Sequence, residues 1–254
     1  MTVREAVEAR RSVRTYKKEA VDSVVMTRLR EMCREPRQCL PGQQARIVVI
    51  EQSLEGRVGT YGIISGAQCC LALIYRDIDG LAAVNAGMMM ENIVLWLTQQ
   101  GLGTCWLGGT FSRDDVASAA SPAPDERIAA IVVLGIAADR ERLVARLMQT
   151  LSRSRKRRSF DNLFDIGDNR QWSSALELMR LAPSALNGQP WRAVATGSAV
   201  HFFCTTHDES GLLDMGIGLT HFAAGNDKPG KWETVDNAAS IRPEWHYVIS
   251  FLAD

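Results

Sequence analysis

Between Leu181 and Val194 the chain reads LAPSALNGQPWRAV. This segment packs Pro183, Ser184, Asn187, Gly188, Gln189 and Pro190 between an apolar helical run and an apolar strand-like run. Proline fixes φ and glycine permits a turn, so a polar loop of this kind can hold one shape. The longest basic run is RSRKRRS, Arg153 to Ser159. From charge alone it reads as a solvated linker or surface face. The six cysteines, Cys33, Cys39, Cys69, Cys70, Cys105 and Cys204, form no C-x-x-C pair, and the four histidines lack ligand spacing. No metal site is expected, and the cysteines read as reduced and mostly buried. No residue presents itself as a general acid, base or nucleophile, so catalytic residues are left unassigned.

The elements that would position these residues come next. The chain has 254 residues, 46% of them hydrophobic, with 29 Lys+Arg against 29 Asp+Glu. That composition suits one large or two small cores. Zero net charge excludes a general nucleic-acid binder. The N-terminus MTVREAVEARRSVR has no apolar stretch of signal-peptide length. The most apolar helical run, Ala82 to Leu97, is interrupted by Asn85, Glu91 and Asn92 and is too short and polar for a membrane span. A cytoplasmic protein is expected.

An internal repeat organises the rest. RLREMCREP (28–36) matches ALELMRLAP (175–183), and RRSVRTY (10–16) matches RRSFDNLF (157–164), both 147 residues on. After a one-residue slip, PGQQAR (41–46) lies under NGQPWR (187–192), and VNAGMMMENIV (84–94) matches LDMGIGLTHF (213–222), with Gly87 over Gly216. Four matches in one order argue for duplicated halves, 1–150 and 151–254. Periodicity places helices at about 23–34, 81–100, 170–181 and 212–224. Strands are placed at 45–51, 68–75, 191–196 and 199–204, with TCWLGG, RIAAIVVLG and WHYVISFLA as further strands and RDDVASAA as a short helix. Gly101 or Gly103 can supply a left-handed C-cap, and DKPGKWE (227–233) reads as a surface loop. The mixture without βαβ rhythm predicts an α+β fold. The two apolar helices are expected to pack on each other at the centre, with Met88–Met90 as core filler.

Taken together, RRSVRTY, APSALNGQPWR, an apolar helix ending in GLGTCWLGG, VVLG and RKRRSFDNLF resemble the FMN-dependent nitroreductase superfamily, over nearly the whole chain. The split of good motifs between halves resembles its tandem branch, a fused pseudo-dimer in one chain. The first half has the good RRS and GLG elements, and the second has the intact PSxxN loop. The resemblance implies that Arg10, Arg11 and Ser12 meet the FMN phosphate and ribityl end and that Arg14 lies near the ring's N1–O2 edge. Lys156 and Arg158 would complete a phosphate clamp, with the inward choice between Arg157 and Arg158 open. Pro183, Ser184, Ala185 and Asn187 would lie against the flavin, Gln189 would brace the loop, and Gly108 and Gly109 would approach flavin N5. Arginine forks suit a phosphate dianion. The first-half loop REPRQCLPGQQAR, with Pro41 where Asn187 sits, reads as degenerate.

The implied activity is NAD(P)H-dependent reduction of nitroaromatics, quinones or similar small acceptors by hydride transfer through flavin N5, in a monomer or weak homodimer. Two readings stand beside it. One is the same cofactor with dehydrogenation, dehalogenation or flavin fragmentation; the other is a non-enzymatic flavin-binding protein.

Overall fold

The computed structural model describes residues 1–51, 63–76, 80–139, 156–236 and 242–254. The expected boundary at 150/151 and residues 153–155 of the basic run lie outside the described residues.

Helix α1 (Val3–Ala9), which sequence periodicity did not anticipate, starts at a reciprocal cap. Glu5 N–H donates to Thr2 Oγ1 at 3.2 Å, and Thr2 N–H donates to the Glu5 carboxylate at 2.7 Å. Helix α2 (Ser23–Arg34) is capped by Asp22, whose side chain accepts from Val24 and Val25 N–H. The first sheet contains β1 (Ala45–Ile50), β2 (Cys69–Arg76), β3 (Gly103–Leu107) and β4 (Glu126–Gly135), in the order β1-β2-β4-β3 and antiparallel throughout. Helix α3 (Ala82–Gln99) precedes β3, and α4 (Arg113–Ala120) follows it. Gly101 is the left-handed residue after α3, at φ +78°.

After the break come α5 (Phe160–Leu163), β5 (Phe164–Asp165), a 3-10 turn at 170–172 and α6 (Ser173–Arg180). Then follow β6 (Trp191–Thr196), β7 (Ala199–Cys204), α7 (Glu209–Gly225), β8 (Gly230–Glu233) and β9 (His246–Ala253). The second sheet runs β5-β6-β7-β9-β8, with β5 parallel to β6 and the other pairs antiparallel. Part of DKPGKWE is thus an edge strand rather than loop. Without β5, the two sheets share one wiring, and the molecule is α+β as expected.

The two apolar helices meet as anticipated. Both α3 and α7 are buried along most of their length. They cross where neither has a side chain: a β-carbon on Gly87 would overlap the Leu213 carbonyl oxygen, and one on Gly216 would overlap the Val84 carbonyl oxygen. The contacts are reciprocal, since Gly216 lies 129 residues after Gly87 and Leu213 lies 129 after Val84. Each helix also fills the other half's core. Val84 and Met88 belong to the cluster under the second sheet, and Leu213 to that under the first. Backbones this close leave a methyl group no room. Gly216→Ala is therefore expected to lower stability by roughly 1–3 kcal/mol, the usual cost of overpacking. The urea midpoint measures it, and an unchanged midpoint would show that the helices can separate freely.

One repeat match does not survive in space. The RRSVR segment runs beside β3, with Ser12 bridged to Thr104 and Val13 N–H donating to Thr104 O at 2.8 Å. Its supposed copy, 157–164, turns into α5 and β5 on the opposite edge of the second sheet, beside β6. Among the described residues, nothing pairs with the outer side of β8, the counterpart of β3. Among the described residues, the RRSVR pairing beside β3 thus has no counterpart in the second sheet. No helix among the described residues is long and apolar enough to cross a membrane.

Candidate functional site

Helix α1 lies across the seam between halves. Ala6 and Val7 pack with Leu95 of α3 and Leu178 of α6. Arg4 donates to Ser174 Oγ at 3.1 Å and to Gly225 O at 3.3 Å, both second-half groups. The helix ends at Arg10, whose N–H donates to Ala6 O at 2.8 Å and whose backbone is already extended. The next residues therefore leave along β3 and bring Arg10 and Arg14 to the seam.

Both guanidiniums are short of partners. Arg10 Nε and Arg14 Nη1 are buried without a hydrogen-bond partner among the described residues. Burial pushes the Arg10 guanidinium down from its ordinary value, Glu91 pulls it back up, and Arg14 adds repulsion. Glu91 is fully buried on α3 and holds two other elements. Its Oε2 accepts from Trp106 Nε1 of β3 at 2.7 Å, and its Oε1 hydrogen-bonds His221 Nε2 of α7 at 2.8 Å. Sequence reading had treated Glu91 only as an interruption of an apolar helix. A lone carboxylate in such a helix is the signal that would have found this hub.

A third arginine comes from the basic segment. Arg157 is half-buried, while Lys156 and Arg158 are exposed. Burial, then repulsion from Arg10 and Arg180, pushes the Arg157 guanidinium down to about 10. Of the two arginines between which the sequence left the choice open, Arg157 is thus the inward one. Its Nη1 donates to Asn187 Oδ1 and its Nη2 to Leu181 O, each at 3.0 Å. Arg158 contributes backbone instead: its N–H donates to Gln189 Oε1 at 2.8 Å, and its O accepts from Arg180. The Arg158 charge acts on Arg192.

The PSALNGQ loop is fastened to the same segment. Asn187 Nδ2 donates to Lys156 O at 2.8 Å, and Gln189, buried as the expected brace, donates to Lys156 O and Asn187 O. Gln189 N–H donates to Ser184 Oγ at 3.0 Å. Both ends of the Asn187 amide and the Ser184 hydroxyl are therefore engaged by protein, where ligand partners were expected. Leu186, Asn187 and Gln189 all have positive φ, at +49°, +58° and +51°. Non-glycine residues in this region store strain, which the surrounding bonds must hold. Pro183 is half-buried, and Ala185 is exposed with its N–H on Asp214 of α7. Sequence reading missed Asp214.

The structure thus brings Arg10, on which Arg14 acts, together with Arg157 and the 183–189 loop that Arg157 holds. Ser12 sits beside β3, whose exposed end carries Gly108 and Gly109 with open space over both α-carbons. Arg11 is exposed. A separate cleft of about 310 Å³ lies between 161–167 and Arg242–Trp245 and is lined by none of the expected residues. No group of three potential metal ligands occurs among the described residues, and all six cysteines are free.

Three neighbouring guanidiniums, two with buried unpartnered N–H groups, carry a penalty that an anion would remove. An unsatisfied buried donor costs about 1–3 kcal/mol, more if charged. A phosphate dianion suits the donor set, so the residues present fit a flavin mononucleotide phosphate.

No curated protein matches in sequence. Among solved structures, a putative nitroreductase from Thermotoga maritima is 21% identical, covers all of this chain and 94% of its own, and superposes with a TM-score of 0.66. A nitroreductase family protein from Clostridium novyi is 17% identical over 55% of this chain and 87% of its own, with a TM-score of 0.47. A nitroreductase with bound FMN from Bacteroides fragilis is 19% identical over 56% and 91%, with a TM-score of 0.45. The family model described as "Putative TM nitroreductase" matches residues 2–226. By that match the chain belongs to this nitroreductase family.

Proposed function

We propose that the chain is an FMN-binding oxidoreductase with one cofactor site per chain, built at the seam of two half-repeats, 1–150 and 151–254. The observation that carries this reading is the arginine cluster: Arg10 and Arg14 from one half meet Arg157 beyond the break, and two of the three hold buried N–H groups without partners. Bound FMN would supply the redox chemistry, taking a hydride from NAD(P)H and passing it to a small electron-poor acceptor such as a nitroaromatic or quinone.

The chain's own residues bind and orient. Arg10 and Arg157 supply charge for the phosphate, and Arg14 supplies a cation for the ring end. Asn187 acts through Arg157, whose fork it fixes, and is a positioning residue. We assign Ser12, Pro183, Ser184, Gly108 and Gly109 to the same site. No acid or base is required, because position and electrostatics suffice for hydride transfer. We place the enzyme in the cytoplasm, as a monomeric pseudo-dimer or weak homodimer.

We assign one site per chain because, among the described residues, the RRSVR pairing beside β3 has no counterpart beside β8. The second loop also differs: Leu40 is buried at 1% exposure, whereas Leu186, at the matching position, is 90% exposed. Titration of FMN-free protein with FMN, followed by flavin absorbance, is expected to saturate at one equivalent and to bleach with NAD(P)H. Saturation at two equivalents would overturn the single-site reading, and no binding would overturn the cofactor. A yellow protein inert to both nicotinamides would favour a different flavin reaction or a binding role.

A further inference from the structure

The loop at 183–189 is held to α7 by one buried carboxyl. Ala185 N–H donates to both Asp214 oxygens, at 2.9 and 3.1 Å, and Asp214 is 6% exposed. The other half does the same with a neutral group. Asn85, 129 residues earlier on α3, accepts from Cys39 and Leu40 N–H at 2.9 Å each with its Oδ1. Two equivalent loops thus hang from two equivalent helix positions, one by an amide and one by an acid.

We infer that Asp214 is a positioning residue that latches the 183–189 loop to α7, and that this latch weakens as pH rises. Burial pushes the Asp214 carboxyl up to about 8, against the lowering effect of Ala185 N–H and with a further upward push from Asp208. Among the described residues, the ionisable groups acting on it are Asp208 on its own helix's N-cap and Cys204 at the end of β7, whose thiol Asp214 in turn pushes up. Glu91 on α3 is engaged by His221 and Trp106, and Glu177 on α6 is paired with Arg180. Lifting the loop admits water to the carboxyl, which then releases its proton at an ordinary carboxylate value. The open state therefore binds fewer protons, so opening grows easier with pH up to about 8 and levels off above it.

The latch stands on the bonds above; its effect on FMN rests on the reading proposed in the previous section. The experiment uses wild type, Asp214→Asn and Asp214→Ala between pH 5 and 9. Exchange of the Ala185 amide, corrected for intrinsic rates, is read in FMN-free protein, and FMN release by stopped flow. Wild-type opening and FMN release are expected to rise by up to about tenfold per pH unit below pH 8. Asp214→Asn should copy Asn85, remaining latched with no such slope, and should release FMN more slowly than wild type at pH 8.5. Asp214→Ala should be open and flat throughout. Equal slopes in wild type and Asp214→Asn, or a protected Ala185 amide in Asp214→Ala, would overturn the latch. If no FMN binds, the exchange data still decide the latch, and only the proposed function fails.

Discussion

Arg157→Ala is expected to weaken FMN binding by roughly 10–150-fold, the equivalent of about 1.5–3 kcal/mol for a hydrogen bond to a charged group. Arg158→Ala is expected to change it less than about twofold, within the usual small effect of a surface substitution. The contrast between adjacent arginines arises from direction. Arg157 is turned toward Arg10 and the Asn187 amide, whereas the Arg158 side chain is exposed and only its backbone serves the loop. Isothermal titration with FMN at fixed salt measures both, since exposed charges are screened and buried ones much less. A larger loss from Arg158→Ala would reverse the inward assignment. Urea unfolding of both FMN-free variants separates a lost ligand contact from a loosened loop.

Glu91→Leu should cost about 2–6 kcal/mol of stability, because it strips the buried Trp106 and His221 ring nitrogens of their shared partner at about 1–3 kcal/mol each. The same change orphans Trp106 Nε1 and deprives Arg10 of its countercharge, so FMN-free protein should suffer from all three elements at once. His221→Phe in the Glu91→Leu background should recover a substantial part, because two apolar groups in a dry seam leave nothing unpaired there. Additive losses in the double-mutant cycle would show that Glu91 and His221 act independently, contrary to their 2.8 Å contact.

Much of this molecule was legible before any coordinates. Helices 23–34 and 113–120 and strands 191–196 and 199–204 fall where periodicity and caps put them. The Gly87–Gly216 match, read from the sequence as part of the internal repeat, is the crossing of the two central helices. What was not legible depended on pairing across the chain. Seven-residue α1 is too short to announce itself, and it is held by tertiary contacts with Leu95 and Leu178. RRSFDNLF shares letters with RRSVRTY, but β5 is drawn to the free edge of β6, which sequence similarity cannot report. The choice between Arg157 and Arg158 depended on a one-residue phase in an irregular segment, for which no period exists. The resemblance implied a ligand contact for Asn187; the protein partners it has in the structure, Lys156 and Arg157, lie 31 and 30 residues upstream and could not be read from the loop itself.

The position of α1 also sets an order of events during biosynthesis. Arg4 is translated 221 residues before its acceptor, Gly225 O. At roughly 5–20 residues per second, the α1 segment waits about 10–45 s for the surface it will cover. A seven-residue helix does not persist alone over that interval. Full anchoring of α1 therefore waits for α7, and on the proposed reading so does completion of the cofactor site. A chain truncated before α7 would remain colourless however well its first sheet had formed.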